Sequence, residues 1–444
     1  MAIHPIEERY GRPKVRWIFD EENKLQKILL VEAALARAHA AVGNIPKKAA
    51  EAISEKASTK YVKVSRVKDI EAETHHDVMA VVKALSEQCG EAGKYVHLGA
   101  TSNDITDTAM ALQFKDYIVF LLEDLTHLKK VLLRQAEEHR KTVCIGRTHA
   151  QHSIPTTYGL KFAIYACEVQ RHIDRVNECR ERLLVGQMTG AVGTQASFRD
   201  KGIRIQEIIM KDLGLCPVMV SNQVIQRDRH AEFMLILALI AETLNKIATE
   251  IRNLQRTEIG EVSEGFREKQ VGSSTMPHKR NPIYAERICG LSRVIKADAV
   301  ASLDNIALWH ERDLTNSSCE RIIIPEACIL TDYVLRTGID LIDNLVFDPD
   351  AIERNLNLSG GKVMAESLMI TLVEKGMGRQ EAHELLRTIA MESYEKKIAY
   401  RDLLVKNREI AKWLKPRDID TALDPKSYIG TAVEQVDNVI EKLR

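Results

Sequence analysis

The chain has 444 residues, 45% of them hydrophobic and 28% charged, with 63 basic (Lys+Arg) and 63 acidic residues. That length can bury a large core in two or three domains, and the charge balance excludes a general affinity for nucleic acid or anionic membrane, so any anion site must be a local cluster of cations. No signal peptide is expected from the charged N-terminus, the most apolar run (Phe233 to Leu244) is too short to span a bilayer, and eight cysteines without a Cys-x-x-Cys pair fit free thiols in a reducing cytoplasm and no structural zinc site.

Helical spacing dominates from the start. Asp20 is a natural N-cap for a helix carrying Leu25, Ile28, Leu29 and Leu35, which stops at Gly43. Pro46 starts another helix, and Glu71 to Cys89 reads as one more, carrying Thr74-His75-His76-Asp77. A polar island, His97 to Asp104, precedes a long helix to about Val143, with Thr101 or Asp104 as its cap. A second island, Gly146-Arg147-Thr148-His149-Ala150-Gln151, ends where Pro155 reopens helix to about Val185. A glycine-punctuated loop, Gly186 to Gly193, leads to a helix at about 201–213. Gln223 to His230 opens what reads as the longest helix, to about Glu258. Ile283 to Leu308 is helical, and helix resumes after Trp309 to Arg321. Pro349 and Gly360-Gly361 mark a boundary before a set of short amphipathic helices. No alternating run is long enough for a confident sheet, so the expected fold is all-α, a bundle of long helices. The expected domains are 1–108, a central bundle 109–358 and a C-terminal helical domain 359–444. Long helices with more apolar stripe than their short neighbours can cover point to a homo-oligomer.

Between two helical segments lies Gly272-Ser273-Ser274-Thr275-Met276-Pro277-His278-Lys279-Arg280-Asn281-Pro282. Its glycine and prolines oppose helix. It offers hydroxyls, an imidazole, an ammonium, a guanidinium and a carboxamide, the equipment for binding an anion and moving a proton. Taken singly, each island is ordinary: most of the fourteen histidines must be caps, surface residues or hydrogen-bonded core residues.

The signature loop, 272–282, closely resembles that of the fumarase/aspartase superfamily. His76-Asp77, the 97–102 and 146–151 islands, Gln223 with 226–230, and Trp309 to Arg321 occur in the order of the adenylosuccinate lyase family, and the resemblance extends from Glu8-Arg9-Tyr10 into the C-terminal domain. It implies a three-domain fold whose long helices form a multi-helix core in a homotetramer, with each active site collecting loops from three subunits. It also implies elimination of fumarate from adenylosuccinate, giving AMP, and from the succinylcarboxamide ribotide SAICAR, giving AICAR, in purine biosynthesis, with no metal and no organic cofactor.

Such an elimination needs a base for a weakly acidic C–H, cations for the doubly charged carbanion, and an acid for the departing nitrogen. From the residues alone His278 would be the base, because an imidazole titrates near neutrality. The resemblance implies Ser273 instead. By the same resemblance Lys279 and Asn281 bind and stabilise the charged carboxylate, His149 is the acid, His76 assists it, and Glu286 polarises a histidine. Thr101, Ser102 and Gln223 hold the succinyl carboxylates. Arg9, Tyr10, Arg312, Ser317 and Arg321 bind the phosphate, and His97 lies beside the phosphate or the leaving group. Family members often read Arg-His-Asp where this chain has His75-His76-Asp77, so His75 stands in place of an arginine. The alternatives are another fumarate-releasing lyase or a carboxymuconate cycloisomerase, whose substrates carry no phosphate, and a non-catalytic helical scaffold.

Overall fold

A computed structural model of the chain describes residues 4–266, 275, 276 and 278–444. The expected base Ser273, with Gly272, Ser274 and Pro277, lies outside them. The fold is all-α, as the periodicity predicts. Among the described residues five helices exceed 21 residues: Ser102–Glu138, Tyr158–Leu183, Asp228–Leu254, Ile283–Asp304 and Thr315–Asp343. The longest is Ser102–Glu138, with 37 residues, and not the 27-residue helix opening at Asp228. Gln223 to Arg227 precede that helix as loop.

The chain divides into two compact units. One comprises Met1–Thr126, Arg171–Leu244 and Ile288–Arg336; the other comprises His127–Gln170, Asn245–Arg287 and Thr337–Arg444. In the first unit, Asp20 caps the Glu21–Ala41 helix as expected, accepting a hydrogen bond from the Glu22 N–H at 2.9 Å. Glu21 and Glu22 add negative charge at the positive end of the helix dipole. The face of this helix bearing Leu25, Leu29 and Leu35 packs into a core that includes Ile53, Leu85, Ile105 and Leu112. Leu29 and Leu85 are wholly buried, each worth roughly 2 kcal/mol of apolar transfer. In the second unit a separate core, including Leu368, Leu386, Leu404 and Ile419, joins the short C-terminal helices.

Two readings of the sequence are corrected. The helix expected over Glu71 to Cys89 is two helices, Val64–Thr74 and Asp77–Gln88. His75 breaks it with a left-handed backbone (φ 52°), ending the first helix, and His76 caps the second, its Nδ1 accepting from the Met79 N–H at 3.3 Å. The 146–151 island does not lead directly into helix. It is the turn of an antiparallel hairpin, β1 (Val143–Thr148) and β2 (Gln151–Thr157), and helix resumes only at Tyr158. Gly146 forms a bulge in β1, where a Cβ would lie 2.5 Å from the Ile154 carbonyl oxygen. His149 and Ala150 form the two-residue turn, both with positive φ (53° and 60°), the backbone that a tight hairpin requires and L-residues resist. Two further pairs of two-residue strands occur among the described residues: Val185–Gly186 with Cys216–Pro217, and Val262–Ser263 with Val346–Phe347.

Candidate active site

The expected site residues fall into two sets, one in each unit. The first unit holds the residues expected to grip substrate. His97 is half-buried, and its Nδ1 lies 2.6 Å from the Glu32 carboxylate. Burial works against a charged ring here, but Glu32 outweighs it, and the His97 pKa is raised. Thr101 and Ser102 stand at the start of the Ser102–Glu138 helix. The fully buried Asp104 caps this corner: it accepts from the N–H groups of Thr101 at 3.0 Å, Thr189 at 2.8 Å and Gly190 at 3.0 Å. Burial raises the Asp104 pKa, and those N–H groups oppose the shift. The loop at Thr189 is thereby held beside Thr101 and Ser102.

Gln223 sits on the loop before the Asp228–Leu254 helix. Its Nε2 donates to the Ala191 carbonyl at 2.8 Å and its Oε1 accepts from Arg312 Nη1 at 2.9 Å. Beneath it lies a buried ionic cluster. Arg227 donates through both Nη atoms to Asp107 at 2.7 and 2.9 Å, and through Nε to Glu320 at 2.9 Å. Asp107 also accepts from the Ile225 N–H at 3.0 Å. Burial alone would raise both carboxylates. Arg227 overcomes it at Asp107, and the nearby His230 ring, 3.7 Å away, together with Arg227 does so at Glu320, so both pKa values are lowered. The cluster pins the Gln223 loop to the Ser102–Glu138 and Thr315–Asp343 helices.

Arg312, Ser317 and Arg321, three of the expected phosphate ligands, lie within eight residues of Glu320 in sequence. Arg312 is half-buried. Among the described residues its Nε, sealed from solvent, has no hydrogen-bond partner, and burial lowers its pKa. Ser317 lies in the first turn of the Thr315–Asp343 helix, at the positive end of its dipole; Asp313 caps this end, accepting from the Thr315 N–H at 2.8 Å. Arg321, one turn on, is exposed and pairs with Asp77, the residue after His76. Arg9 is exposed. Tyr10 packs edge-on against Tyr333 with ring centroids 4.9 Å apart. Arg12 anchors this segment, its Nε donating to Asp332 at 2.8 Å and Nη2 to Asp124 at 2.6 Å.

The second unit holds His149, Lys279, Asn281 and Glu286; His76, expected to assist the acid, lies in the first unit, where its Nδ1 accepts from the Met79 N–H. His149 stands exposed at the hairpin tip, and Lys279 is exposed in the signature loop. Among the described residues neither side chain makes a hydrogen bond or ion pair. Asn281 and Glu286 flank the start of the Ile283–Asp304 helix. Glu264, on the incoming limb of the loop, accepts from the N–H groups of Tyr284 at 3.2 Å and Ala285 at 2.7 Å on the outgoing limb. Gln255 bridges the same two limbs, accepting from the Glu264 N–H and donating to the Arg280 carbonyl, each at 3.0 Å. The His278 side chain, the residue-only candidate for base, is exposed.

Three groups that support this arrangement were not legible as site residues. From the sequence Asp104 is only a possible cap, and its grip on Thr189 and Gly190 is a long-range contact. Glu261 offers no local pattern at all. Lys24 is half-buried beside Arg321, and its pKa is lowered by burial and by that neighbouring charge.

Comparison with known proteins fits this geometry. The family model described as lyase matches residues 8–296, and the one described as adenylosuccinate lyase C-terminus matches residues 361–439. A protein of Pyrococcus abyssi named adenylosuccinate lyase is 58% identical over 440 residues, 99% of this chain and 98% of its own. One of Methanocaldococcus jannaschii with the same name is 55% identical over 446 residues, covering 100% of this chain and 96% of its own. Among solved structures, a fumarate lyase from Mesorhizobium sp. BNC1 superposes with a TM-score of 0.90 at 31% identity, covering 99% of both chains. The 3-carboxy-cis,cis-muconate lactonizing enzyme from Pseudomonas putida does so with a TM-score of 0.90 at 33% identity, covering 98% of this chain and 97% of its own.

Proposed function

The chain belongs to the adenylosuccinate lyase family of carbon–nitrogen lyases, and from that premise we propose how its residues divide the elimination between them. Adenylosuccinate loses fumarate and leaves AMP; the succinylcarboxamide ribotide of the same pathway is the second substrate. Ser273 takes the proton from the carbon beside a carboxylate. The pair of electrons left behind spreads into that carboxylate, where Lys279 and Asn281 meet the added charge. The C–N bond then breaks, and His149 delivers a proton to the leaving nitrogen. His76 hydrogen-bonds and orients this acid, and Glu286 polarises a histidine. Thr101, Ser102 and Gln223 hold the succinyl carboxylates. Arg9, Tyr10, Arg312, Ser317 and Arg321 hold the phosphate, with His97 beside it.

The observation that carries the phosphate-bearing substrate is Arg312. A guanidinium that is half-buried, hydrogen-bonded to Gln223 and, among the described residues, paired with no carboxylate is costly unless an anion completes it. A lactonizing enzyme acting on a muconate has no phosphate to place there.

Self-association as a homotetramer is part of this reading. The long helices expose Leu235, Leu239, Val300, Leu303 and Ile322, apolar side chains at 39–64% of full exposure, and a partner's helices would cover them. The separate core of the C-terminal helices supports reading 359–444 as its own domain. Among the described residues no helix is long and apolar enough to cross a membrane, and none of the cysteines forms a disulfide, which supports a reducing, cytoplasmic setting.

The test is an ultraviolet assay of purified protein with adenylosuccinate, following the purine chromophore as the succinyl group leaves. Turnover that disappears in folded Ser273→Ala and His149→Ala is expected. A folded sample without turnover on adenylosuccinate overturns the substrate; full turnover in either variant overturns that residue's role.

A further inference from the structure

Glu261 is the most completely enclosed carboxylate among the described residues of the second unit: it has no solvent exposure. Four groups converge on it. Arg147 Nη2 and the Tyr158 hydroxyl donate to its two oxygens, Asn355 Nδ2 donates to Oε1 at 2.8 Å, and its own carbonyl accepts from the Asp348 N–H at 3.0 Å. Arg147 belongs to β1 and Tyr158 directly follows β2, so this one carboxylate holds both strands of the hairpin. The tip between those strands is His149-Ala150, both residues in the left-handed backbone. Such a turn persists only where its surroundings over-determine it. The bulge at Gly146 lies between the Ile145 and Arg147 pairings and is the place where register could slip.

We propose that Glu261 is a positioning residue for His149: by fixing Arg147 and Tyr158 it sets the register and aim of the hairpin tip that presents the imidazole. This rests on the reading of His149 as the acid. A buried carboxylate shared by an arginine and a phenol keeps its geometry because each donor needs it. Removing its charge leaves the half-buried Arg147 guanidinium short of a partner. The tip is then free to move by the fraction of an ångström to which proton delivery is sensitive.

The test is steady-state kinetics of Glu261→Gln, the size-matched neutral variant, beside His149→Gln and the double variant. With folding checked by circular dichroism, Glu261→Gln should lower kcat on the order of 10²-fold while KM changes little. The limb of the kcat pH profile that belongs to the acid should move. In the His149→Gln background the second change should cost almost nothing more, because residues acting as a unit are non-additive. If Glu261→Gln does not fold, Tyr158→Phe and Arg147→Lys replace it, each with a smaller kcat loss and unchanged KM expected. A folded variant with wild-type kcat and pH profile, or losses that multiply fully in the double variant, would overturn the positioning role alone. Full turnover in His149→Gln would overturn the acid reading and the positioning role together.

Discussion

At the scale of single residues, the site is defined by which charges are completed within the chain and which are not. Arg227 is complete: two buried carboxylates take its donors. Arg312 is not, since its sealed Nε has no partner among the described residues. The two arginines therefore respond differently to substitution. Arg312→Gln keeps a polar link to Gln223 but loses the charge offered to phosphate. It should raise KM for the nucleotide about 10- to 100-fold, as loss of a charge-assisted hydrogen bond of 1.5–3 kcal/mol requires, with unfolding unchanged. Arg227→Met should leave two buried carboxylates facing one another and destabilise the fold by about 3–5 kcal/mol, seen as a lower urea midpoint. The pH dependence has a definite sign. Asp107 and Glu320 have lowered pKa values in the folded state. Their contribution is present above the ordinary carboxylate pKa of about 4 and is lost as pH falls through the lowered folded values. Urea midpoints measured from pH 7 downward should hold until the ordinary carboxylate range and then fall. A fall beginning above pH 6 would assign acid sensitivity to other groups.

At the scale of elements, long helices were legible and the hairpin was not. Leu25, Ile28, Leu29 and Leu35 repeat at helical spacing before Gly43, and Asp20 carries its own capping chemistry, so that helix could be read directly. β1 and β2 give no comparable signal. Their turn is His149-Ala150 and not the Asn-Gly pair that marks a tight hairpin, and Pro155 reads as a helix start although it lies buried in β2 opposite Ile145. His75 hid a helix break for the same reason: a left-handed residue that is not glycine leaves no trace in composition. The candidate ligands stood out as polar islands, whereas Asp104 and Glu261 act through contacts 85 and 114 residues away that no local spacing encodes. The hairpin also carries a sharp packing prediction. Gly146→Ala would force a Cβ to within 2.5 Å of the Ile154 carbonyl oxygen, a backbone contact that no rotamer can relieve. It should destabilise by about 1–3 kcal/mol and lower turnover by displacing His149, measurable as a lower thermal midpoint and a reduced kcat in the same sample. Unchanged values for both would mean that the bulge can shift without disturbing the tip.

At the scale of the whole molecule, the division of labour between the two units makes a prediction about assembly. Gln223, Arg312 and Arg321, with Thr101 and Ser102, belong to one unit, and His149, Lys279 and Asn281 to the other. If the chain assembles as the proposed homotetramer and builds each site from different copies, a substrate-gripping residue and a proton-moving residue of one site come from different chains. Two variants that are each inactive can then repair one another. His149→Gln mixed with Arg312→Gln, unfolded together and refolded, would form tetramers in which some sites draw His149 from one variant and Arg312 from the other. Random assembly of an equal mixture gives about a quarter of sites free of both lesions when the two residues come from different chains of a closed oligomer. Activity should therefore return to roughly a quarter of wild type, and only when the two are refolded together. Separately refolded samples mixed afterwards control for exchange. If one chain supplied both residues to its own site, every site would keep one lesion and no activity would return. Leu239→Arg supplies the complementary measurement. A charge placed on the exposed apolar stripe should lower the assembly size in light scattering and remove turnover, while circular dichroism still reports a folded helical chain. A monomer of full activity would show that each chain completes its own site.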